Sequence, residues 1–175
     1  MKVLVVVDMQ RDFVDGALGT KEAVEILPAV TARVKKAAEE GETILFTRDT
    51  QQENYLETKE GQNLPIKHCI QGTEGWELVP ELREYTKGRE VINKPTFGSE
   101  KLGRLLAQAN VGVEIEEITL IGLCTDICVI SNALLLKTFL PETKIAVEAR
   151  CCAGVTPESH ENALRAMSMC QIEIR

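Results

Sequence analysis

The chain alternates short apolar runs with longer segments in which apolar residues recur at helical spacing. Lys2 to Val7 is almost continuously apolar and β-branched and stops at Asp8, the pattern of a parallel strand buried on both faces. Across residues 22–40, Val24, Leu27, Val30, Val34, Ala37 and Ala38 keep the spacing of an amphipathic helix, and Gly41 stands where a helix end favours a left-handed residue. A second strand is expected at residues 43–47. Residues 49–75 show neither periodicity, are rich in Glu, Gln, Asn, Thr and Gly, and read as a long irregular connection of the kind that compact domains keep for function.

A short helix at residues 77–85 leads to a strand at 90–93, which Lys94-Pro95 ends. Ser99 can cap a helix running to about residue 108, a fourth strand follows at 118–122, and helical spacing resumes from 125 to 138. A fifth strand is expected at 144–147, Thr156-Pro157 opens a helix to about residue 169, and residues 172–174 close the sheet. This alternation predicts one α/β domain over residues 1–175: a three-layer, mostly parallel six-stranded sheet, Rossmann-like, with helices on both faces and right-handed crossovers. Such sheets bind ligands beyond the carboxyl ends of their strands, where strand order reverses, and Asp8, Asp49, Lys94 and the turn at 124–128 all fall at those ends.

Composition narrows the classes of function. A chain of 175 residues buries roughly 70% of its unfolded surface, enough for one core. The formal charge of −7 and the absence of a Lys/Arg cluster argue against nucleic acid as a partner. No apolar run approaches the roughly 20 residues that cross a bilayer, and Met1 leads straight into a strand, so neither a membrane span nor a signal peptide is expected and the protein is placed in the cytoplasm. Six cysteines, at 69, 124, 128, 151, 152 and 170, form no disulfide framework and are expected as free thiols.

Taken singly, Asp8 reads as a turn residue, Lys94 as a solvated cation and Cys128 as a small core hydrophobe. Together they supply a nucleophile, an acceptor for its proton and a cation to hold negative charge, which is what acyl transfer requires. Cys128 lies about one turn into a helix, whose positive end favours a thiolate over the ordinary thiol pKa of roughly 8.5, and Lys94 acts in the same direction. Asp8 could take the thiol proton and later deliver it to a departing amine.

Ile121-Gly122-Leu123-Cys124-Thr125-Asp126-Ile127-Cys128-Val129 resembles the nucleophile turn of the isochorismatase-like cysteine hydrolases, the family of nicotinamidases, pyrazinamidases, N-carbamoylsarcosine amidohydrolases and ureidoacrylate amidohydrolases. Val7-Asp8-Met9-Gln10-Arg11-Asp12-Phe13 resembles its first-strand signature, and Thr47-Arg48-Asp49, His68-Cys69-Ile70-Gln71-Gly72-Thr73-Glu74-Gly75 and Asn93-Lys94-Pro95-Thr96-Phe97 follow in the family's order. The resemblance implies Cys128 as nucleophile, Asp8 as general base and acid, and Lys94 as the residue that orients Asp8 and stabilises the thiolate. It also implies a cis peptide between Leu123 and Cys124, aiming the backbone N–H groups of Cys124 and Cys128 at a developing oxyanion. Phe13 and Phe97 would line the substrate pocket, although each is also a plausible core aromatic.

Family nicotinamidases hold a divalent metal through an Asp-x-His pair and a later His. Asp49 and His68 match this pattern, Gln51 stands where the intervening histidine would be, and Glu60, ahead of Glu57, is the further carboxylate best placed to join them. Such a set suits Zn²⁺, Mn²⁺ or Fe²⁺. The alternative is that His68 packs at the pocket wall while Asp49 caps a turn. The expected activity is hydrolysis of a small-molecule amide, nicotinamide to nicotinate and ammonia, by a homo-oligomer. A metal-independent carbamoyl or ureido amidase, an isochorismatase-type hydrolase and a catalytically silent binding module stand beside it.

Overall fold

A computed structural model describes residues 1–175. Six strands, all parallel, form one sheet in the order β3-β2-β1-β4-β5-β6: β1 (Lys2–Val7), β2 (Thr43–Asp49), β3 (Val91–Lys94), β4 (Glu117–Leu123), β5 (Lys144–Ala153) and β6 (Glu173–Ile174). Strand order reverses between β1 and β4, whose register pairs Val3 with Ile118 and Val7 with Gly122. The crevice beyond the carboxyl ends at that reversal is where the site lies.

The continuous apolar run of β1 is explained by its two covered faces. Val3, Val5 and Val7 pack against α5 (Glu100–Gly112), α6 (Ile130–Phe139) and α7 (Pro157–Met169) through Leu102, Leu106, Leu136, Leu164 and Met167. Leu4 and Val6 face the other way, onto Val30, Val34 and Ala37 of α2 (Lys21–Glu39) and Leu82 of α4 (Pro80–Arg83). Each of these Val, Leu and Met side chains contributes about 1.5–3 kcal/mol by leaving water, so β1 anchors both layers and its last residue is held firmly in place. Gly122 permits the close pairing beneath the site: it sits at φ 115°, and a Cβ there would lie 2.1 Å from the Val7 carbonyl oxygen.

Helix ends follow the chemistry of their caps. Thr20, Ser99 and Thr156 accept backbone N–H bonds with their side chains at the starts of α2, α5 and α7, and Gly41 closes the turn after α2 at φ 73°. Four departures from the sequence expectation matter. A short α1 (Arg11–Val14) follows β1. The connection over residues 49–75 is not structureless: it holds a 3₁₀ turn at Tyr55–Glu57 and α3 (Lys59–Asn63), started by the Thr58 hydroxyl accepting from Gly61 N–H at 3.0 Å. β5 runs on to Ala153, past a register shift opposite Leu120 and Gly122, and takes Cys151 and Cys152 into the sheet. The helical run from 125 to 138 begins as a wide π turn, Thr125–Val129, before α6. No helix is long and apolar enough to cross a membrane.

Candidate active site

A cavity of about 500 Å³ opens at the carboxyl ends of the central strands. Each sequence-expected residue lies at or beneath it. Asp8 ends β1, Asp49 ends β2, Lys94 ends β3, and the π turn after β4 carries Cys128. Asp8 adopts φ 46°, an uncommon conformation for a residue other than glycine, as the chain leaves the strand and bends toward the cavity.

Lys94 is the hub. It is 1% exposed, and its Nζ lies 2.7 Å from Asp8 Oδ2, 3.3 Å from Cys128 Sγ, 3.5 Å from Asp49 Oδ1 and 3.2 Å from the Thr96 carbonyl oxygen. Burial disfavours its charge, but the Asp8 and Asp49 carboxylates around it favour the charged form and hold the ammonium protonated. Asp8 is fully buried, and Thr47 Oγ1 donates to its Oδ1 at 2.6 Å. Burial raises the Asp8 pKa, Asp49 adds to the rise, and Lys94 opposes it.

Cys128 is 4% exposed, and its thiol pKa is pushed well above the ordinary value by burial and then by Asp8, with Lys94 pulling the other way. The sequence argument for a ready thiolate weighed the helix end and Lys94 but could not weigh burial beside a carboxylate. Burial and the Asp8 charge therefore favour the thiol over the thiolate in the resting site, and Asp8, joined to the sulfur through Lys94, is the carboxylate that can take its proton. The Leu123–Cys124 peptide is cis. Cys124, Phe13 and Phe97 line the cavity with Leu18, Leu64 and Ile127, and Phe97 is 45% exposed at its rim rather than a core aromatic.

A second cluster stands on the adjoining wall. The ligand-capable atoms of Asp49, Glu60 and His68 all lie within 4.8 Å of one another. His68 Nε2 is 3.6 Å from Asp49 Oδ2 and 3.8 Å from Glu60 Oε1, while its Nδ1 is 2.8 Å from the Ile66 carbonyl oxygen. That carbonyl accepts the Nδ1 proton and so turns Nε2 toward the two carboxylates, the orientation a metal-binding imidazole needs. The cluster has two oxygen ligands and one nitrogen converging beside a cavity, and it fits a divalent cation. Burial opposes charge on all three groups. His68 is nonetheless raised by the Asp49 carboxylate 3.6 Å away, Asp49 is lowered by His68 and Lys94, and Glu60 is raised by burial and by Asp49. Glu57, the other carboxylate considered, lies in the exposed 3₁₀ turn and outside this cluster.

Several residues that hold these groups stand in the family-like motifs, but their roles were not read from the sequence. Gln10, fully buried, clamps the backbone of Asp49: its Oε1 accepts from Asp49 N–H at 2.7 Å, and its Nε2 donates to the Asp49 and Trp76 carbonyls at 2.8 Å. Asp12 Oδ2 accepts the Cys69 N–H at 2.8 Å and fixes the segment that presents His68. Thr47 sets the Asp8 carboxylate as described. Their common signal is a polar residue inside or just after an apolar strand, which marks a buried hydrogen-bond partner but not which one. The five cysteines other than Cys128 are free, and burial raises the thiol pKa of Cys69, Cys124, Cys151 and Cys152.

The isochorismatase domain matches residues 2–174. A pyrazinamidase of Pyrococcus horikoshii, solved in complex with zinc, is 30% identical and superposes with a TM-score of 0.83 over 99% of this chain and 98% of its own. A pyrazinamidase/nicotinamidase from Streptococcus mutans is 25% identical with a TM-score of 0.86 over the full length of both chains. The curated PncA of Bacillus subtilis, described as an uncharacterized isochorismatase family protein, is 28% identical over 93% of this chain and 92% of its own. With the domain matched from the first strand to the last, the chain belongs to the isochorismatase family and is a hydrolase of that family.

Proposed function

We infer that the protein hydrolyses a small-molecule amide through a thioester on Cys128, with nicotinamide as the substrate that the site and its relatives favour. The observation that carries this reading is the buried contact set around Lys94, which joins a carboxylate at 2.7 Å to a thiol at 3.3 Å on the floor of a cavity. Asp8 takes the Cys128 proton as the sulfur attacks the amide carbonyl carbon. Lys94 offsets the negative charge that passes between them. The backbone N–H groups of Cys124 and Cys128 receive the developing oxyanion, a contribution of ~100-fold or more where such a donor has been removed. Protonated Asp8 then gives its proton to the departing nitrogen, the C–N bond breaks and ammonia leaves. Asp8 next accepts a proton from water, whose oxygen attacks the thioester carbon. The acid departs and the sulfur recovers its proton.

Asp49, Glu60 and His68 would hold the divalent cation, which when bound supplies a Lewis-acid seat for a ring nitrogen and so sets the amide carbonyl over Cys128. Phe13 and Phe97 provide aromatic walls for a planar ring. An assembly of identical subunits in the cytoplasm, acting on a small molecule, accords with this reading. Cys128→Ala tests it: ammonia release from nicotinamide should fall to background while the melting temperature stays within a few degrees, because only a sulfur is lost. Retention of a tenth of the activity would remove Cys128 as nucleophile. Release of ammonia from carbamoyl or ureido amides but not from nicotinamide would move the substrate to that class.

A further inference from the structure

Between the two carboxylates of the second cluster stands a polar side chain that the reaction scheme does not use. Gln51 is 7% exposed, and its backbone is fixed on both sides: its N–H donates to the Cys69 carbonyl at 2.9 Å and its carbonyl accepts from Gln71 N–H at 2.9 Å. Its side-chain Nε2 donates to Asp49 Oδ2 at 3.2 Å, the same oxygen that lies 3.6 Å from His68 Nε2, and the amide also favours the charged form of the Glu60 carboxylate. Both neighbours are acceptors, so the NH₂ end of the carboxamide must face them. Turning the carbonyl inward instead would set a third oxygen against two carboxylates and remove the charge-assisted bond to Asp49.

The geometry points to Gln51 as the residue that sets which divalent ion this cluster holds, acting as an N–H donor to its carboxylates and not as a ligand. With an ion in place, each carboxylate keeps a further lone pair for the amide protons, so Gln51 has no cause to turn. Its position in the cluster is then filled by a group that offers no nitrogen. The protein contributes carboxylate oxygens from Asp49 and Glu60 and the single imidazole nitrogen of His68. Every nitrogen-poor set of this kind narrows the advantage of Zn²⁺ over Mn²⁺, because carboxylate and water suit Mn²⁺ while imidazole favours the later metals. An ion held by these three side chains would take water or substrate at any further position. The inference rests on the metal placement of the preceding reading and not on its amide chemistry.

The test uses metal-stripped full-length protein, with Mn²⁺ and Zn²⁺ affinities measured by equilibrium dialysis and the waters on bound Mn²⁺ counted by solvent proton relaxation. Gln51→Leu should weaken Mn²⁺ binding about 10- to 100-fold, the usual loss when a ligand's hydrogen-bond partner is removed, and leave the number of bound waters unchanged. Gln51→His should raise Zn²⁺ affinity at least tenfold more than it raises Mn²⁺ affinity. Gln51→Met serves the same purpose as Gln51→Leu if the latter loses its circular dichroism. One extra water on Mn²⁺ in the Leu or Met variant would show that Gln51 had been a ligand and overturn the inference. Equal Mn²⁺ affinity with and without the amide, an unchanged Zn²⁺ to Mn²⁺ ratio in Gln51→His, or no Mn²⁺ bound by the unsubstituted protein at millimolar ion would each overturn it too. A protein with the expected affinities that releases no ammonia from any amide would keep this inference and lose the amidase reading.

Discussion

Replacing Lys94 with Met removes one charge and keeps most of the side-chain volume, so its effects isolate the electrostatics of the site. Asp8 then loses a cation 2.7 Å away, and Asp49 loses the same cation at 3.5 Å. Both carboxylates are buried, and two like charges remain without their counter-ion. Breaking a buried pair from one side typically costs about 3–5 kcal/mol, a large part of a domain's total stability. The cost depends on pH in a defined direction. Burial already raises Asp8, with Lys94 opposing it, so the substitution lifts the folded pKa of Asp8 further above its unfolded value. A carboxyl raised in this way contributes its stability below the unfolded pKa of about 3.9 and loses it as pH rises through the folded value. The gap between Lys94→Met and the unsubstituted protein should therefore be about 3 kcal/mol at pH 8 and should close as pH falls toward 4. Urea unfolding followed across that range measures it. In the same variant kcat should fall at least 100-fold, because Asp8 would hold its own proton and could not take that of Cys128. A loss below 1 kcal/mol at pH 8 together with kcat within tenfold would refute the placement of Lys94 as the charge that holds the site together.

Thr47→Val removes the hydroxyl that donates to Asp8 Oδ1 at 2.6 Å; a bond to a charged group contributes about 1.5–3 kcal/mol, so kcat should fall roughly 10- to 100-fold at nearly constant KM, and Thr47→Ser should restore most of it. His68→Ala should strip divalent metal, as read by elemental analysis, and raise KM for nicotinamide more than it lowers kcat, since in the proposed function an ion at this cluster would position the ring. At the far end of the sheet, a bidentate bond from Arg175, at 2.6 and 3.0 Å, lowers the Glu117 pKa from the ordinary 4.5 to about 2. A depressed carboxyl contributes its stability above the unfolded pKa and loses it as pH falls through the folded one. Glu117→Gln should thus cost about 1 kcal/mol at pH 7 after solvent screening, and the difference should shrink between pH 4.5 and pH 2 in thermal unfolding.

The order of elements was legible in the chain because burial on two faces and on one face write different patterns. β1 is continuously apolar since Val3, Val5 and Val7 meet one helical layer and Leu4 and Val6 the other, whereas α2 shows apolar residues only along the stripe that faces the sheet. Those periodicities, with the stops at Asp8 and Lys94-Pro95, were enough to place Asp8, Asp49, Lys94 and the Cys128 turn at one edge of a parallel sheet. Local chemistry was less legible where it is not periodic. α3 spans only residues 59–63, too short for a helical stripe, and its sole sequence mark is the Thr58 cap that brings Glu60 to the cavity wall.

What the sequence by itself determined is the strand and helix alternation and the residue types at the strands' carboxyl ends, because these depend on spacing along the chain, whereas the strand order and its reversal between β1 and β4 came from the tertiary structure. The tertiary structure decided the partners. Thr47 and Asp8 are 39 positions apart and Lys94 and Cys128 are 34 apart, yet they share buried hydrogen bonds set by the registers of β1 with β2 and β2 with β3 and by the turn after β4. It also decided protonation. Whether Cys128 rests as a thiol or a thiolate depends on how completely water is excluded and on the carboxylate beside it, and neither is written in the distance between two residues along a chain.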